Sequence, residues 1–179
     1  KNIVNIPFSE KLDKVVWRGT TLEHHINCTH PRNTIGKILK DYEWADIKHC
    51  INGWYYTGHC AQVSEYNDNY MPISKQCQYK GILYIDGAAG ATSEKWIFLS
   101  GSVVIKIARW ESCMIQKMKP WYDFVPVKWD LSDLVENIEW IFNNPLDAEK
   151  IANQGRETFI KYTSREELDK VILSALDLN

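Results

Sequence analysis

The chain has 179 residues, of which 45% are hydrophobic and 25% charged, with nine glycines and six prolines, a composition that fits one folded globular domain. Its 21 basic and 23 acidic side chains leave a formal net charge of -2, so no bulk positive field draws in a nucleic-acid backbone. The longest apolar runs fall far short of the roughly 20 residues that a membrane-spanning helix needs, so no span is expected. The cysteines Cys28, Cys50, Cys60, Cys77 and Cys113 contain no CxxC pair, and an odd number closes no disulfide framework. A soluble protein with a lean towards a reducing compartment is expected. A first residue of Lys1 instead of Met leads us to expect a processed product or part of a longer polypeptide.

In chain order, Val15-Val16-Trp17 is a β-branched and aromatic run that ends at Arg18-Gly19-Thr20. It predicts a strand opening into a glycine turn, with a basic residue at its carboxyl end. Behind Pro31, the stripe Ile35, Ile38 and Leu39 predicts a short helix. The segment from Asp46 to Tyr70 is rich in Asn, Tyr, Trp, Cys and His and has no period, so it is expected to be irregular. Residues Gly81 to Asp86 predict a strand, followed by the loop Gly87-Ala88-Ala89-Gly90 and a helix through Trp96, Ile97, Phe98 and Leu99 that Gly101 closes. Val103 to Ile107 predicts the next strand. A helix is expected from Trp110 or Glu111 to just before Pro120, then a short edge strand over Phe124 to Val127.

The last third is helical by pattern. Leu131, Leu134, Val135, Ile138, Ile141 and Phe142 recur at three and four, with Asp130 as the expected N-cap and Asp133 at the capping-box position. A second helix after Pro145 carries Ile151, Ala152, Phe159 and Ile160, and Gly155 in it is either a weak point or a place of close packing. Thr163 and Glu166 predict the cap of a third helix. The alternation predicts an α/β fold in a single domain over 1–179, a parallel sheet covered by helices.

In open parallel sheets ligands bind outside the carboxyl ends of the strands. Two such ends here are Arg18-Gly19-Thr20 and Asp86-Gly87-Ala88-Ala89-Gly90. A diphosphate is favoured there by the planar fork of Arg18 and by backbone amides from Gly87 to Ser93. The residues equally fit a plain structural ion pair and a glycine-shaped turn. GAAGATSEK lacks the Gly-Lys-Ser/Thr ending of a phosphate-binding P-loop, and no GxGxxG, HExxH, GxSxG or EF-hand pattern occurs. No Asp-x-Asp appears, which favours neutralisation of a diphosphate by cations and backbone donors over a divalent metal. Lys80, Lys95 and Lys106 are further candidate cations, with Lys106 interrupting a buried-looking run or else lying on an exposed strand edge. The histidines and thiol of His24 to His30, with His49-Cys50 and His59-Cys60, are zinc-compatible in type but not in spacing. Trp54-Tyr55-Tyr56 fits either stacking on a base or sugar or core packing.

The ordered motifs Val16-Trp17-Arg18-Gly19, Thr29-His30-Pro31-Arg32, Cys77-Gln78-Tyr79-Lys80, Asp86-Gly87, Phe98 to Val104, Lys119 to Lys128 and Asp130 to Leu134 resemble those of the CAP10-like, lipopolysaccharide-modifying and protein O-glucosyltransferase family. The resemblance implies a Rossmann-like sheet matching the C-terminal half of a GT-B glycosyltransferase. It also implies metal-independent transfer from a uridine-diphosphate sugar to a hydroxyl of a carbohydrate or protein acceptor, with no further cofactor. Arg18, Gly19, Arg32, Lys80, Asp86, Gly87, Ser93, Lys95, Ser100, Gly101, Ser102 and Lys106 are the donor-site candidates, with Arg18 expected to contribute most. The family's members are often secretory, and its general base comes from the N-terminal half, so an adjoining domain or protomer is expected. Within this chain Glu23, Asp46 and Glu111 are the weak candidates for that base. Thr92-Ser93-Glu94-Lys95 departs from the family, which carries an arginine shortly after the glycine loop. A noncatalytic donor-binding or scaffold domain is the alternative reading.

Overall fold

A computed structural model describes residues 3, 6–20, 29–50, 70–87 and 89–175. Among these residues five strands, β1 (Leu12–Gly19), β2 (Ala45–His49), β3 (Tyr79–Ile85), β4 (Val103–Ile107) and β5 (Val125–Pro126), form one sheet in the order β2-β1-β3-β4-β5. Every pairing is parallel. Among the described residues six helices accompany them: α1 (Pro31–Leu39), α2 (Ile73–Gln76), α3 (Glu94–Leu99), α4 (Leu134–Asn143), α5 (Pro145–Tyr162) and α6 (Arg165–Ala175). This is the expected Rossmann-like class. The chain steps outward from β1 to β2, then crosses back over β1 to build β3, β4 and β5, so the winding direction reverses between β1 and β3.

The central strands carry apolar side chains on both faces, as a covered parallel sheet requires. Val15, Trp17, Leu83, Ile85, Ile105 and Ile107 pack on one face against Ile35 and Leu39 of α1 and Leu134, Ile138 and Ile141 of α4. Val16, Ile82, Tyr84 and Val104 face the other way onto Ile97 and Phe98 of α3, and Phe98 stacks on Phe159 of α5 at 5.2 Å. Burying a large apolar side chain contributes roughly 1.5–3 kcal/mol, so these two layers dominate the stability of the sheet. Gly155 of α5 is a point of close packing, because a Cβ there would land on the carbonyl oxygen of Asp123. Gly101 closes α3 with a φ of 69°, in the left-handed region that glycine enters without strain.

Four expectations need correction. The helix from Trp110 to Pro120 is only a 3-10 turn at Ile115–Lys117. The Asp86 carboxylate takes the backbone N-H groups of Arg109 and Trp110, at 2.7 and 2.8 Å, and holds that stretch out of a helix. Asp130 does not cap α4: it accepts from the amide of Ser132, Asp133 accepts from that of Lys128, and Leu131 sits at a φ of 62°. The helix therefore starts after this turn, with Asp133 as N-cap residue but no side-chain cap bond. Ser164, not Thr163, caps α6 by accepting from the Glu167 amide, while the Thr163 hydroxyl donates back to the Phe159 carbonyl. Finally, the expected irregular segment begins with strand β2, an edge strand paired only to β1, whose charged Asp46 and Lys48 mask its pattern. Residues 51–69 of that segment lie outside the described residues.

Candidate functional site

The reversal between β1 and β3 opens a crevice at the carboxyl ends of these strands, where open α/β sheets bind their ligands. A cavity of about 240 Å³ occupies it, lined among others by Trp17, Gly19, Arg32, Ser93 and Trp96. The position follows from topology: neighbouring connections depart to opposite faces and leave the strand ends uncovered.

Arg32 enters this cavity from the first turn of α1. Pro31 preorganises that turn, and the His30 N-cap accepts the Arg32 amide on Nδ1 at 3.2 Å. The guanidinium donates from Nε to the Asp86 carbonyl and from Nη2 to the Ile85 carbonyl, both at 2.7 Å, and lies 6.0 Å from the Trp17 ring centroid. It thus spans the carboxyl ends of β1 and β3. Burial pulls its pKa below the ordinary arginine value, with Asp86 and Tyr84 opposing. A partly desolvated cation of this kind is stabilised by an anionic ligand. Gly87 stands beside it, since a Cβ there would come to 3.6 Å from Nη2.

Arg18 lines the same cavity but is engaged elsewhere. Its Nη1 donates to the carbonyls of Trp17 and Asp46 at 2.9 and 2.7 Å, and its Nη2 donates to Asp46 Oδ1 at 2.7 Å. Only 6% of the side chain is exposed. Asp46 also accepts from the Tyr79 hydroxyl at 2.5 Å. Burial raises the Asp46 carboxyl, but the Tyr79 and Arg18 bonds outweigh it and hold the group below the usual carboxylate range. Such a carboxylate is a poor proton acceptor.

The loop after β3 is pinned on both sides. Tyr84 accepts from the Ala91 amide at 3.2 Å and donates to Glu94 Oε2 at 3.3 Å, and Glu94 Oε1 accepts from the Ser112 hydroxyl at 2.8 Å. Burial pushes the Tyr84 hydroxyl up, so it stays a neutral donor. Ser93 reaches the cavity, whereas Lys95 is exposed and outside its lining. Lys106 is buried at 8% exposure, with Nζ 5.2 Å from the Phe124 ring centroid and 3.8 Å from Glu111 Oε1. That corrects the exposed-edge reading and leaves Glu111 next to a cation.

The structure does not bring the whole donor-site list together. Lys80, Ser100, Gly101 and Ser102 lie at the amino ends of β3 and β4, the opposite end of the sheet from the crevice. Lys80 pairs with Asp13. The serines belong to a knot around Lys11, which sequence reasoning missed: its ammonium donates to the Cys77 carbonyl, to the Ser100 carbonyl and, at 3.1 Å, to Ser102 Oγ. Ser102 Oγ in turn donates to the Tyr79 carbonyl at 2.7 Å. Desolvation lowers the Lys11 pKa to about 8, with Cys77 opposing. A single lysine before β1 carries no periodic signal, so nothing in the chain marks this role.

Glu23, His24 to Cys28, Trp54 to Tyr56, His59 and Cys60 fall outside the described residues. His49 Nε2 sits 2.6 Å from the Arg32 carbonyl, and burial lowers its pKa. No group of three or more His, Cys, Asp or Glu among the described residues is arranged to hold a metal ion. No helix among them is long and apolar enough to cross a membrane.

O-glucosyltransferase LpsA of Dichelobacter nodosus is 26% identical over 163 residues, covering 90% of this chain and 47% of its own length. Protein O-glucosyltransferase 1 of Rattus norvegicus is 31% identical over 93 residues, covering 51% of this chain and 24% of its own. The chain therefore spans less than half the length of these curated relatives. The crystal structure of TarM superposes with a TM-score of 0.55 at 14% identity, covering 96% of this chain and 37% of TarM, a likeness of fold. The profile of Glycosyl transferase family 90 matches residues 3–170, a span that includes all five strands and both crevice arginines, and the chain belongs to that family.

Proposed function

We propose that this chain forms the donor half of a glycosyltransferase that moves a sugar from a uridine-diphosphate sugar to a hydroxyl of a carbohydrate or protein acceptor, without a divalent metal. The observation that carries the reading is the partly desolvated Arg32 guanidinium in a cavity at the β1/β3 reversal. Arg32 and the backbone around Gly19, Gly87 and Ser93 take the diphosphate, and Trp17 and Trp96 give the cavity apolar walls. Arg18, tied to Asp46, shapes the end of β1 and contributes less to binding than its sequence position suggests.

In the transfer, the acceptor oxygen forms a bond to the sugar's anomeric carbon as the bond from that carbon to the diphosphate oxygen breaks. The diphosphate leaves with the electron pair, and the acceptor's proton passes to a base. A cation held against the departing oxygens stabilises the charge that develops there. We place that base on the acceptor side, in an adjoining domain or protomer, because Asp46 is bound to Arg18 and Tyr79 and Glu111 lies beside Lys106.

Those same engagements favour one second reading, a noncatalytic donor-binding module. Calorimetric titration with uridine diphosphate and its sugars in the presence of EDTA tests the first claim, and absence of saturable binding sinks it. Arg32→Ala is expected to weaken binding by about 2 kcal/mol, the scale of a charge-assisted hydrogen bond. Sugar transfer by the isolated chain to a supplied acceptor defeats the second reading.

A further inference from the structure

A second arginine, Arg109, lies just beyond the carboxyl end of β4, next to the end of β3 that Arg32 occupies. Its backbone amide donates to Asp86 Oδ2 at 2.7 Å, while Arg32 Nε donates to the carbonyl of that same Asp86. Both arginines are thus tied to Asp86, Arg109 through its backbone amide and Arg32 through its guanidinium. Asp86 is fully buried, which makes it a fixed post for both.

The Arg109 side chain is also held. Its guanidinium carbon lies 4.4 Å from the centroid of the Trp129 ring. That ring is half-buried and meets the His30 ring edge-on at 4.9 Å, so it is clamped from the α1 side. The ring holds the guanidinium by a cation–π contact, and the N-H groups, which make no hydrogen bond among the described residues, suit a planar, two-oxygen acceptor. Arg109 is exposed and forms no ion pair among the described residues, unlike Arg18 and Lys106 at neighbouring strand ends. Side-chain entropy ordinarily opposes ordering an exposed arginine, and here the stack has already met part of that cost.

We propose that Arg109 is a second phosphate contact of the donor site, so that Arg32 and Arg109 together hold the two phosphate groups of a nucleoside diphosphate. The proposal rests on the donor reading above and adds to it a residue that no sequence motif marked. It makes the site selective for diphosphates over monophosphates and nucleosides, because a second guanidinium needs a second phosphate group to meet it.

The test is calorimetric titration of wild type, Arg109→Ala and Arg109→Lys with uridine, uridine monophosphate and uridine diphosphate at fixed ionic strength, each variant checked by its thermal melt. Arg109→Ala is expected to lose at least tenfold in diphosphate affinity with uridine affinity unchanged, and Arg109→Lys to recover only part. Unchanged diphosphate affinity in folded Arg109→Ala overturns the proposal and leaves the donor reading standing. An equal loss for uridine and its diphosphate overturns it too, since the residue would then act on the nucleoside or the fold. If wild type binds uridine but does not prefer the diphosphate, both arginines lose their assigned role. Failure of wild type to bind any of the three removes the donor reading and this proposal together. Should the alanine variant not fold, the lysine variant carries the same comparison.

Discussion

Replacing Arg18 by alanine separates a ligand contact from a structural one. Among the described residues the guanidinium makes three hydrogen bonds within 2.9 Å, two to carbonyls and one to the Asp46 carboxylate, with 6% of the Arg18 side chain and 21% of the Asp46 side chain exposed. Removing one partner of a buried ion pair costs about 3–5 kcal/mol because a charge is left uncompensated. Asp46 keeps the Tyr79 hydroxyl and some solvent, so we expect less than that full penalty, about 2–3 kcal/mol. For a domain of this size that lowers the melting temperature by roughly 4–12 °C. Uridine-diphosphate affinity should change by less than about threefold, under roughly 0.7 kcal/mol. Urea unfolding followed by circular dichroism gives the first quantity and calorimetry the second. A double-mutant cycle with Asp46→Asn should return a coupling of about 1.5–3 kcal/mol. An Arg18→Ala protein that melts like wild type yet loses tenfold or more in diphosphate affinity would refute the argument and restore Arg18 as the principal ligand contact.

Three further outcomes follow from the geometry. Asp46 has its pKa lowered on folding, so its contribution is present above pH 3.8 and is lost as pH falls through the folded value; the stability gap between wild type and Asp46→Asn should shrink over that acid range in urea titrations. Lys11 is also lowered, to about 8 from 10.5, but as a base: the unfolded chain binds more protons between those values, so this residue's charge opposes folding at neutral pH and ceases to as pH rises from 8 to 10.5. Chemical denaturation of wild type and Lys11→Met across that window should show wild type gaining relative to the variant, and a flat difference disproves the assignment. Gly155→Ala should destabilise by about 1–3 kcal/mol despite alanine's better helix propensity, because the added methyl meets the Asp123 backbone; a variant as stable as wild type in a thermal melt shows that the α5 contact yields freely.

Much of the fold is legible in the sequence because buried parallel strands and amphipathic helices advertise themselves locally. Val15-Val16-Trp17, Gly81 to Ile85 and Val103 to Ile107 are apolar runs of strand length, and all three are strands. β2 escapes notice because an edge strand needs no apolar run, and Asp46 and Lys48 break its pattern. The helix expected after Trp110 fails for a tertiary reason: its first amides go to Asp86, 23 and 24 residues away in sequence, and no local propensity reports that bond.

The site divides in the same way. Sequence alone determined that the chain has an α/β fold, that Gly19 and Gly87 lie at strand ends, and that the ordered motifs belong to one glycosyltransferase family, because periodicity and motif order are properties of adjacent residues. Which of the motif cations face a common crevice was decided by strand order. Lys80 and Ser100 to Ser102 are as close in sequence to the β3 loop as Arg32 is distant, yet they lie at the other end of the sheet, while Arg32 crosses to the β3 carbonyls. A parallel sheet puts all its carboxyl ends on one side, so the direction of each strand, and not distance along the chain, determines which side chains meet.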